Sequence, residues 1–134
     1  MYQFENQVRV RYAETDQMGY VYYGNYAIYC EVARVESLRN LGYSYKQLEK
    51  SGVMMPVMEH RSKYLKPAKY DELITIKTTV PKPPSVKISF LYDFFNEANE
   101  KIHEAQTDLV FTKMESGKPC RPPGIMISLF ADFY

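Results

Sequence analysis

The sequence contains few cysteines and histidines, and their scarcity excludes several kinds of site. Cys30 and Cys120 are its only cysteines, and neither belongs to a Cys-x-x-Cys pair, so reduced thiols are expected rather than a disulfide framework. The two histidines, His60 and His103, are too far apart in the sequence to show the ligand spacing of a zinc site. The sequence therefore predicts no metal site, and both histidines are interpreted as ordinary strand residues.

Long apolar runs are absent as well. No stretch approaches the roughly 18 apolar residues from which a membrane-spanning helix is predicted. Residues 1–12, MYQFENQVRVRY, lack the apolar core of a signal peptide. We therefore expect a cytoplasmic protein without a membrane span.

The sequence also lacks a strong excess of one charge. Its 17 basic and 16 acidic residues give a formal net charge of +1, which argues against nucleic acid as a partner. Residues 61–87 are the exception, because they hold seven basic residues against Asp71 and Glu72, a local net charge of +5. Such a strip either binds a phosphorylated ligand or consists of outward-facing lysines that keep sheet edges from pairing.

What the sequence does contain is a regular order of strands and helices. Its 134 residues, 46% of them hydrophobic, are enough for one domain with a core, so residues 1–134 are predicted to form a single domain. Val8, Val10 and Tyr12 alternate with Arg9 and Arg11. This period of two predicts a half-buried strand over residues 4–12.

A change of period then predicts a long helix over residues 24–41. Apolar residues recur there at three- and four-residue steps, at Ile28, Val32, Val35 and Leu38. This spacing indicates one apolar helix face. Gly42 is predicted to end the helix, and Gly24 or Asn25 to cap its start. The uncharged first turns are expected to be buried, whereas the last turns are expected to be wetter, with Glu31 and Arg34 as an ion pair.

Strand-like sequence follows almost to the end of the chain. After a short helix over residues 45–51, strands are predicted over residues 53–65, 73–80, 86–95 and 102–114. Consecutive strands without crossover helices indicate an antiparallel sheet with its helix on one face, an α+β fold. The apolar tail, residues 121–134, is expected to dock on the body of the protein or on a second subunit.

An acidic loop joins the first strand to the long helix. It reads YAETDQMGYVYYGNY over residues 12–26 and places Asp16 beside apolar residues, where a carboxylate is usually paired or reactive. The ordinary alternative is an Asp that stabilises its own loop as an Asx-turn. Glu14 is interpreted as an exposed neighbour.

This loop and its flanks carry a resemblance to a known family. Residues 9–34, RVRYAETDQMGYVYYGNYAIYCEVAR, closely resemble the opening of the hot-dog-fold acyl-CoA thioesterases, in the subgroup of 4-hydroxybenzoyl-CoA thioesterase and the bacterial thioesterases related to the Tol-Pal operon. A weaker similarity continues through KYLKPAKYDEL at residues 63–73. The resemblance implies a hot-dog fold, in which a curved antiparallel β-sheet wraps around a long central α-helix. It also implies subunits paired edge to edge, as a dimer or a homotetramer built from two dimers, with the active site at the interface.

The same resemblance implies an acyl-CoA thioesterase for a small aromatic or short-to-medium-chain acyl group. Asp16 matches the catalytic carboxylate, as nucleophile or general base, and the backbone N–H of Tyr23 matches the group that polarises the thioester carbonyl. An oxyanion suits the first, unpaired N–H groups of a helix. No cofactor is implied, because coenzyme A is part of the substrate.

Further residues are candidates for contacts with the substrate. They are Gly24 and Asn25 at the helix start, and Lys63, Lys66, Lys82 and Lys87 for the 3′-phosphate and pyrophosphate of coenzyme A. The methionines of VMMPVM, residues 53–58, belong either to the core or to the acyl pocket. The VYY of residues 21–23 departs from the VYH of many Tol-Pal-associated relatives, so any role of that His side chain is absent and substrate choice stays open.

Two other functions compete with this one. A hydroxyacyl dehydratase on the same fold needs a His and a carboxylate near the central helix, and the predicted helix contains no His. A non-catalytic acyl-binding module keeps the pocket but does not need Asp16. Motifs of serine hydrolases and of phosphate-binding loops are absent.

Overall fold

A five-stranded antiparallel sheet packs against a long helix in the computed structural model, which describes residues 1–134. The helices are α1 (Asn25–Asn40), α2 (Tyr45–Lys50) and α3 (Gly124–Ala131), and a 3-10 turn spans Tyr12–Glu14. The strands are β1 (Tyr2–Arg9), β2 (Val53–Met54), β3 (Val57–Tyr64), β4 (Leu73–Val80), β5 (Lys87–Phe95), β6 (Lys101–Val110) and β7 (Thr112–Lys113). None of the helices has the length and apolar character needed to cross a bilayer.

The sheet has the strand order β1-β4-β5-β6-β3, and every neighbouring pair is antiparallel. The alternation of β5 explains its central place, because every second side chain is at most 2% exposed, namely Ile88, Phe90, Tyr92 and Phe94. The side chains between them point to the opposite face of the sheet. β1 and β3 form the two edges, and all residues of β3 except Ser62 are exposed.

Two of the predicted long strands are interrupted. The strand predicted over residues 53–65 is split into β2 and β3, because Pro56 has no N–H to donate and restricts the residue before it. The strand predicted over residues 102–114 ends at Val110, and the short β7 pairs with β2 instead. Of the three methionines in residues 53–58, Met55 is partly buried and packs against the core, whereas Met54 and Met58 are exposed, so the core interpretation holds for Met55 and is wrong for the other two.

The remaining element predictions agree more closely with the structure. The strands predicted over residues 73–80 and 86–95 and the helix over residues 24–41 are confirmed to within one residue at each end. The first strand begins and ends earlier than predicted, at Tyr2 and Arg9. Gly42 follows the long helix with a φ of +89°, which a residue without a Cβ adopts easily.

The buried face of α1 differs from the predicted one. The side chains that it buries are those of Tyr26, Tyr29, Cys30, Ala33, Arg34, Ser37 and Leu38. Ile28 and Val32, predicted to face the core, are instead 52% and 39% exposed. The large rings of Tyr26 and Tyr29 remove more apolar area from water than Ile28 and Val32 would, so they favour this rotation of the helix.

The predicted ion pair between Glu31 and Arg34 is wrong. Arg34 is buried and donates hydrogen bonds to the hydroxyls of Tyr45 at 3.2 Å and Tyr92 at 3.1 Å. Glu31 stays exposed on another face of the helix. The last turns of α1 are therefore drier than predicted, and phenol groups take the place of a carboxylate around the guanidinium.

The apolar tail docks on the body of the protein, as predicted. Met126 and Phe130 of α3 are buried. The ring of Phe130 meets that of Tyr2 edge-on, with the centroids 5.7 Å apart. The hydroxyl of Tyr134 donates to the carbonyl of Val80 at 2.5 Å. The tail therefore extends the core at the β1 end of the sheet.

Candidate active site

Asp16 stabilises the loop between β1 and α1 through one of its two carboxylate oxygens. Oδ1 accepts hydrogen bonds from the backbone N–H groups of Met18 at 2.9 Å and Tyr20 at 3.2 Å. Gly19 closes this turn with a φ of +76°. Oδ2 accepts no hydrogen bond from the protein. Asp16 is thus the Asx-turn residue of the ordinary alternative, and it still offers one free oxygen.

Glu14 anchors the same loop from inside, and the expectation that it is exposed is wrong. Its Oε1 accepts hydrogen bonds from the N–H of Arg11 and the hydroxyl of Tyr29, both at 2.8 Å, and its Oε2 binds the Arg11 guanidinium at 3.0 Å. Burial raises the pKa of this carboxyl, but the hydrogen bonds from Arg11 and Tyr29 outweigh burial and leave the pKa below its usual value. The carboxylate of Glu14 therefore joins the loop to Tyr29 of α1.

The backbone of Glu14 also holds the start of α1. Its carbonyl accepts the N–H of Tyr22 at 2.9 Å and the side-chain amide of Asn25 at 2.8 Å. Gly24 is the N-cap and supplies no side-chain cap. The N–H groups of Tyr23 and Gly24 donate to no acceptor in the protein. Two free donors therefore stand at the positive end of the helix dipole, where an oxyanion binds well.

Asp16 and Tyr23 line the same cleft, which has a volume of about 530 Å³. Eight of its eleven lining residues are hydrophobic, and Asp16 and Lys66 are the only charged ones. Its aromatic side chains include Tyr22, Tyr26 and Tyr64. The structure thus brings together the carboxylate of Asp16, the residue Tyr23 with its free N–H group, and an apolar space.

One of the four candidate lysines, Lys66, lies at this cleft. It forms an ion pair with Glu100, and this hydrogen-bonded contact lowers the pKa of the Glu100 carboxyl. Lys63 pairs in register with Glu104 of β6. Because Ser62 faces the helix side of the sheet, Lys63 points to the opposite side.

The other two candidates, Lys82 and Lys87, lie far from Asp16 within one chain. They border a separate depression that follows β4, and Lys87 forms an ion pair with Asp108 at 3.5 Å. The eight residues of β4 separate this depression from the cleft, and at ~3.3 Å per residue they span about 26 Å. The structure therefore does not bring these lysines to the cleft of their own chain.

Tyr26 and Tyr64 line the cleft, although the sequence motifs alone predict this role for neither residue. Tyr26 is predicted only as a buried residue of the first helical turn, and Tyr64 only as a strand residue. They meet, with ring centroids 5.3 Å apart, because the pairing of β3 with β6 carries Tyr64 to the start of α1. The feature of the sequence that indicates such a cleft is the set of aromatic residues around the loop, namely Tyr20, Tyr22, Tyr23 and Tyr26.

The cysteines and histidines do not gather into a metal-binding group. Cys30 and Cys120 are free thiols, and no three His, Cys, Asp or Glu side chains are grouped so that they could hold a metal ion. His60 and His103 do come together, because each has its Nε2 within hydrogen-bond distance of the Ser62 hydroxyl, at 3.2 and 3.1 Å.

Comparison with known proteins gives one consistent family. The model of the thioesterase-like superfamily matches residues 10–129. The chain is 36% identical to a putative acyl-CoA thioesterase, YneP, of Bacillus subtilis over 119 residues, which are 89% of this chain and 86% of that protein. It is 29% identical to the acyl-CoA thioester hydrolase YbgC of Escherichia coli over 92% of each chain.

Solved structures agree with the sequence comparisons. A DHNA-CoA thioesterase from Staphylococcus aureus matches with a TM-score of 0.87 at 36% identity, over 99% of this chain and 87% of that chain. The predicted α+β hot-dog fold and the predicted resemblance to acyl-CoA thioesterases are confirmed by these similarities.

Proposed function

The chain belongs to the thioesterase-like superfamily and is a thioester hydrolase, and from that premise we propose that it hydrolyses acyl-CoA at the cleft of Asp16 and Tyr23. The observation that carries the proposal is a carboxylate with a free oxygen on the same apolar cleft as Tyr23, whose backbone N–H is unpaired. Thioester hydrolysis needs a base or nucleophile and a donor for the developing oxyanion.

In the proposed reaction the thioester carbonyl oxygen accepts a hydrogen bond from the N–H of Tyr23. As a general base, Asp16 takes a proton from water through Oδ2 while the water oxygen adds to the carbonyl carbon. The C–S bond then breaks, and the leaving thiolate takes that proton. As a nucleophile, Asp16 instead adds to the carbonyl carbon and expels the thiolate, and water then hydrolyses the mixed anhydride. Both routes yield a carboxylic acid and coenzyme A, and neither uses a metal or a cofactor.

The proposed acyl group is small and aromatic, or of short to medium chain length. The tyrosine rings of the cleft favour a planar acyl group through offset and edge-on contacts, and its hydrophobic lining suits the apolar part of that group. The similarity to a DHNA-CoA thioesterase at 36% identity supports the same choice.

A panel of acyl-CoA substrates, assayed by the release of free thiol, tests the reaction. We expect turnover of aromatic and short-to-medium-chain acyl-CoA, with kcat/KM lower for long saturated chains, which have no ring to pack against the tyrosines of the cleft. An acyl-binding module would bind panel members and release no thiol. A hydroxyacyl dehydratase would convert 3-hydroxyacyl-CoA, likewise without thiol release. Absence of thiol release from every panel member contradicts the proposal.

Coenzyme A is proposed to extend from the helix start at Gly24 and Asn25 past Lys66 at the edge of the cleft. Lys63, Lys82 and Lys87 stay candidates for its phosphates, but they lie away from the cleft of their own chain, so they would act through a second subunit. The proposed compartment is the cytoplasm, whose reducing conditions suit the free thiols of the chain.

The exposed edge of β3 supports a homo-oligomer. Val57, Met58 and Tyr64 of this edge strand are 52%, 63% and 51% exposed, and pairing with β3 of a second copy would satisfy its outer backbone groups. Antiparallel pairing would bring Val57 and Met58 of that copy toward Tyr64, and so toward the cleft. We expect analytical ultracentrifugation to give two or four times the mass of one chain. A monomer at the concentrations of the activity assay would rule out this pairing as a requirement for activity.

A further inference from the structure

A buried imidazole lies directly behind the cleft. His103 of β6 is 0% exposed, and its ring stacks on that of Tyr26, with centroids 4.2 Å apart and an interplanar angle of 16°. It also meets Tyr64 edge-on at 4.7 Å. Tyr26 and Tyr64 line the cleft, whereas His103 does not. One buried ring therefore contacts two walls of the cleft from behind.

The orientation of His103 is fixed from two further directions. Its Nε2 lies 3.1 Å from the hydroxyl of Ser62 on the neighbouring strand, and the ring of Phe94 packs against it at 4.9 Å. The hydroxyl of Ser62 also lies 3.2 Å from Nε2 of His60, whose Nδ1 lies 2.9 Å from the Thr107 hydroxyl. A chain of side-chain hydrogen bonds from β3 and β6 therefore ends at His103.

The chemistry of this position is unusual for a core residue. Nδ1 of His103 is buried without a hydrogen-bond partner, an arrangement that is unfavourable for a polar atom. Burial lowers the pKa of His103 to about 4, so the ring that stacks on Tyr26 is neutral at ordinary pH. A Phe would fill similar space without a buried polar atom. What a Phe could not supply is the hydrogen bond to Ser62, which sets the plane of the ring.

Through its contacts with Tyr26 and Tyr64, the orientation of His103 affects the walls of the cleft. The hydroxyl of Tyr26 accepts the N–H of Ala68 at 3.3 Å, so its ring is held at its tip by the backbone and along its face by His103. The hydroxyl of Tyr64 reaches the carbonyl of Tyr23 at 3.4 Å. A change in the plane of His103 would therefore move both aromatic walls, whereas Asp16 hydrogen-bonds to the backbone of Met18 and Tyr20 and not to His103.

We propose that His103, held by Ser62, is a positioning residue that fixes Tyr26 and Tyr64 and so determines which acyl groups the cleft accepts. The inference rests on the proposed function for the identity of the ligand. The positioning role concerns only the acyl part of the ligand. Binding of a small acyl group that does not reach the aromatic walls is therefore unaffected by the plane of His103.

Binding of two thioether analogues, S-ethyl-CoA and S-benzyl-CoA, tests this role without catalysis, because neither has a carbonyl to hydrolyse. Ser62→Ala removes the hydrogen bond and keeps the imidazole, His103→Phe keeps an aromatic ring and removes the bond, and Ser62→Thr keeps the hydroxyl as a matched control. By calorimetry we expect the Kd of S-benzyl-CoA to rise about tenfold in the first two variants. The Kd of S-ethyl-CoA should stay unchanged in both, and Ser62→Thr should behave like the wild type.

The outcomes separate this role from general damage to the fold. Equal weakening of both analogues, or an unchanged Kd for S-benzyl-CoA in Ser62→Ala, would overturn the positioning role. If His103→Phe does not fold, the comparison of Ser62→Ala with Ser62→Thr decides alone, since neither replaces the buried ring. The protein could show the expected changes in Kd and yet release no thiol from any acyl-CoA. That result would contradict the proposed reaction and still support the positioning role of His103.

Discussion

Replacing Asp16 with Asn is expected to lower kcat for the best acyl-CoA substrate by about 1000-fold or more, with the fold intact. The amide oxygen of Asn can still accept the N–H groups of Met18 and Tyr20, which bind Asp16 Oδ1 at 2.9 and 3.2 Å. The loop therefore keeps its shape. The amide nitrogen that replaces Oδ2 can neither accept a proton from water nor attack a carbonyl carbon. Single-turnover and steady-state thiol release measure the loss.

Asp71→Asn provides the matched control for this variant. Asp71 is an exposed carboxylate on the neighbouring loop between β3 and β4, and its φ of +67° is one that Asn tolerates. The same chemical change there should leave both kcat and the melting temperature at their wild-type values. Turnover by Asp16→Asn near the wild-type rate would show that the carboxylate is only a loop residue, and the proposed mechanism would be wrong.

The second large effect is expected from Tyr23→Pro, which should lower kcat about 100- to 1000-fold. Proline removes the N–H that is proposed to bind the oxyanion, and that N–H has no acceptor in the protein, so no internal hydrogen bond is lost. The backbone tolerates the change, because the Asn25 N–H donates to the Tyr22 carbonyl at 2.9 Å and Tyr23 is the second residue of this turn. Proline is favoured at that position. KM should change less than kcat, since the oxyanion forms only in the transition state.

Tyr23→Ala separates the backbone donor from the side chain. It keeps the N–H and removes the ring, which packs on Tyr22 with centroids 4.8 Å apart. We expect its kcat to stay close to that of the wild type. Any loss of activity should appear as a higher KM. Equal losses of kcat in Tyr23→Pro and Tyr23→Ala would assign the effect to the phenol ring and exclude the N–H as the oxyanion donor.

Local patterns in the sequence were sufficient for the elements and for the loop that carries Asp16. The period of two in β5 and the turn-forming residues around it depend only on neighbours along the chain, so they predict the strand to within one residue. Gly19 and Gly42, both at positive φ, likewise mark turns that any tertiary structure would need to respect. The residues matched to the family motif, Asp16 and Tyr23, are close in sequence, and a short loop with its helix start is enough to bring both to one cleft.

What the sequence by itself determined is thus the order of strands and helices, the fold class and the acidic loop before the long helix. Only the tertiary structure decided which face of α1 is buried, because Ile28 and Val32 form as good an apolar stripe as Tyr26 and Tyr29 until the sheet is in place. It likewise decided that Glu14 is buried. Tyr64 and His103 are 39 positions apart and pair in register across β3 and β6, so the aromatic backing of the cleft arises from strand pairing that no local pattern encodes.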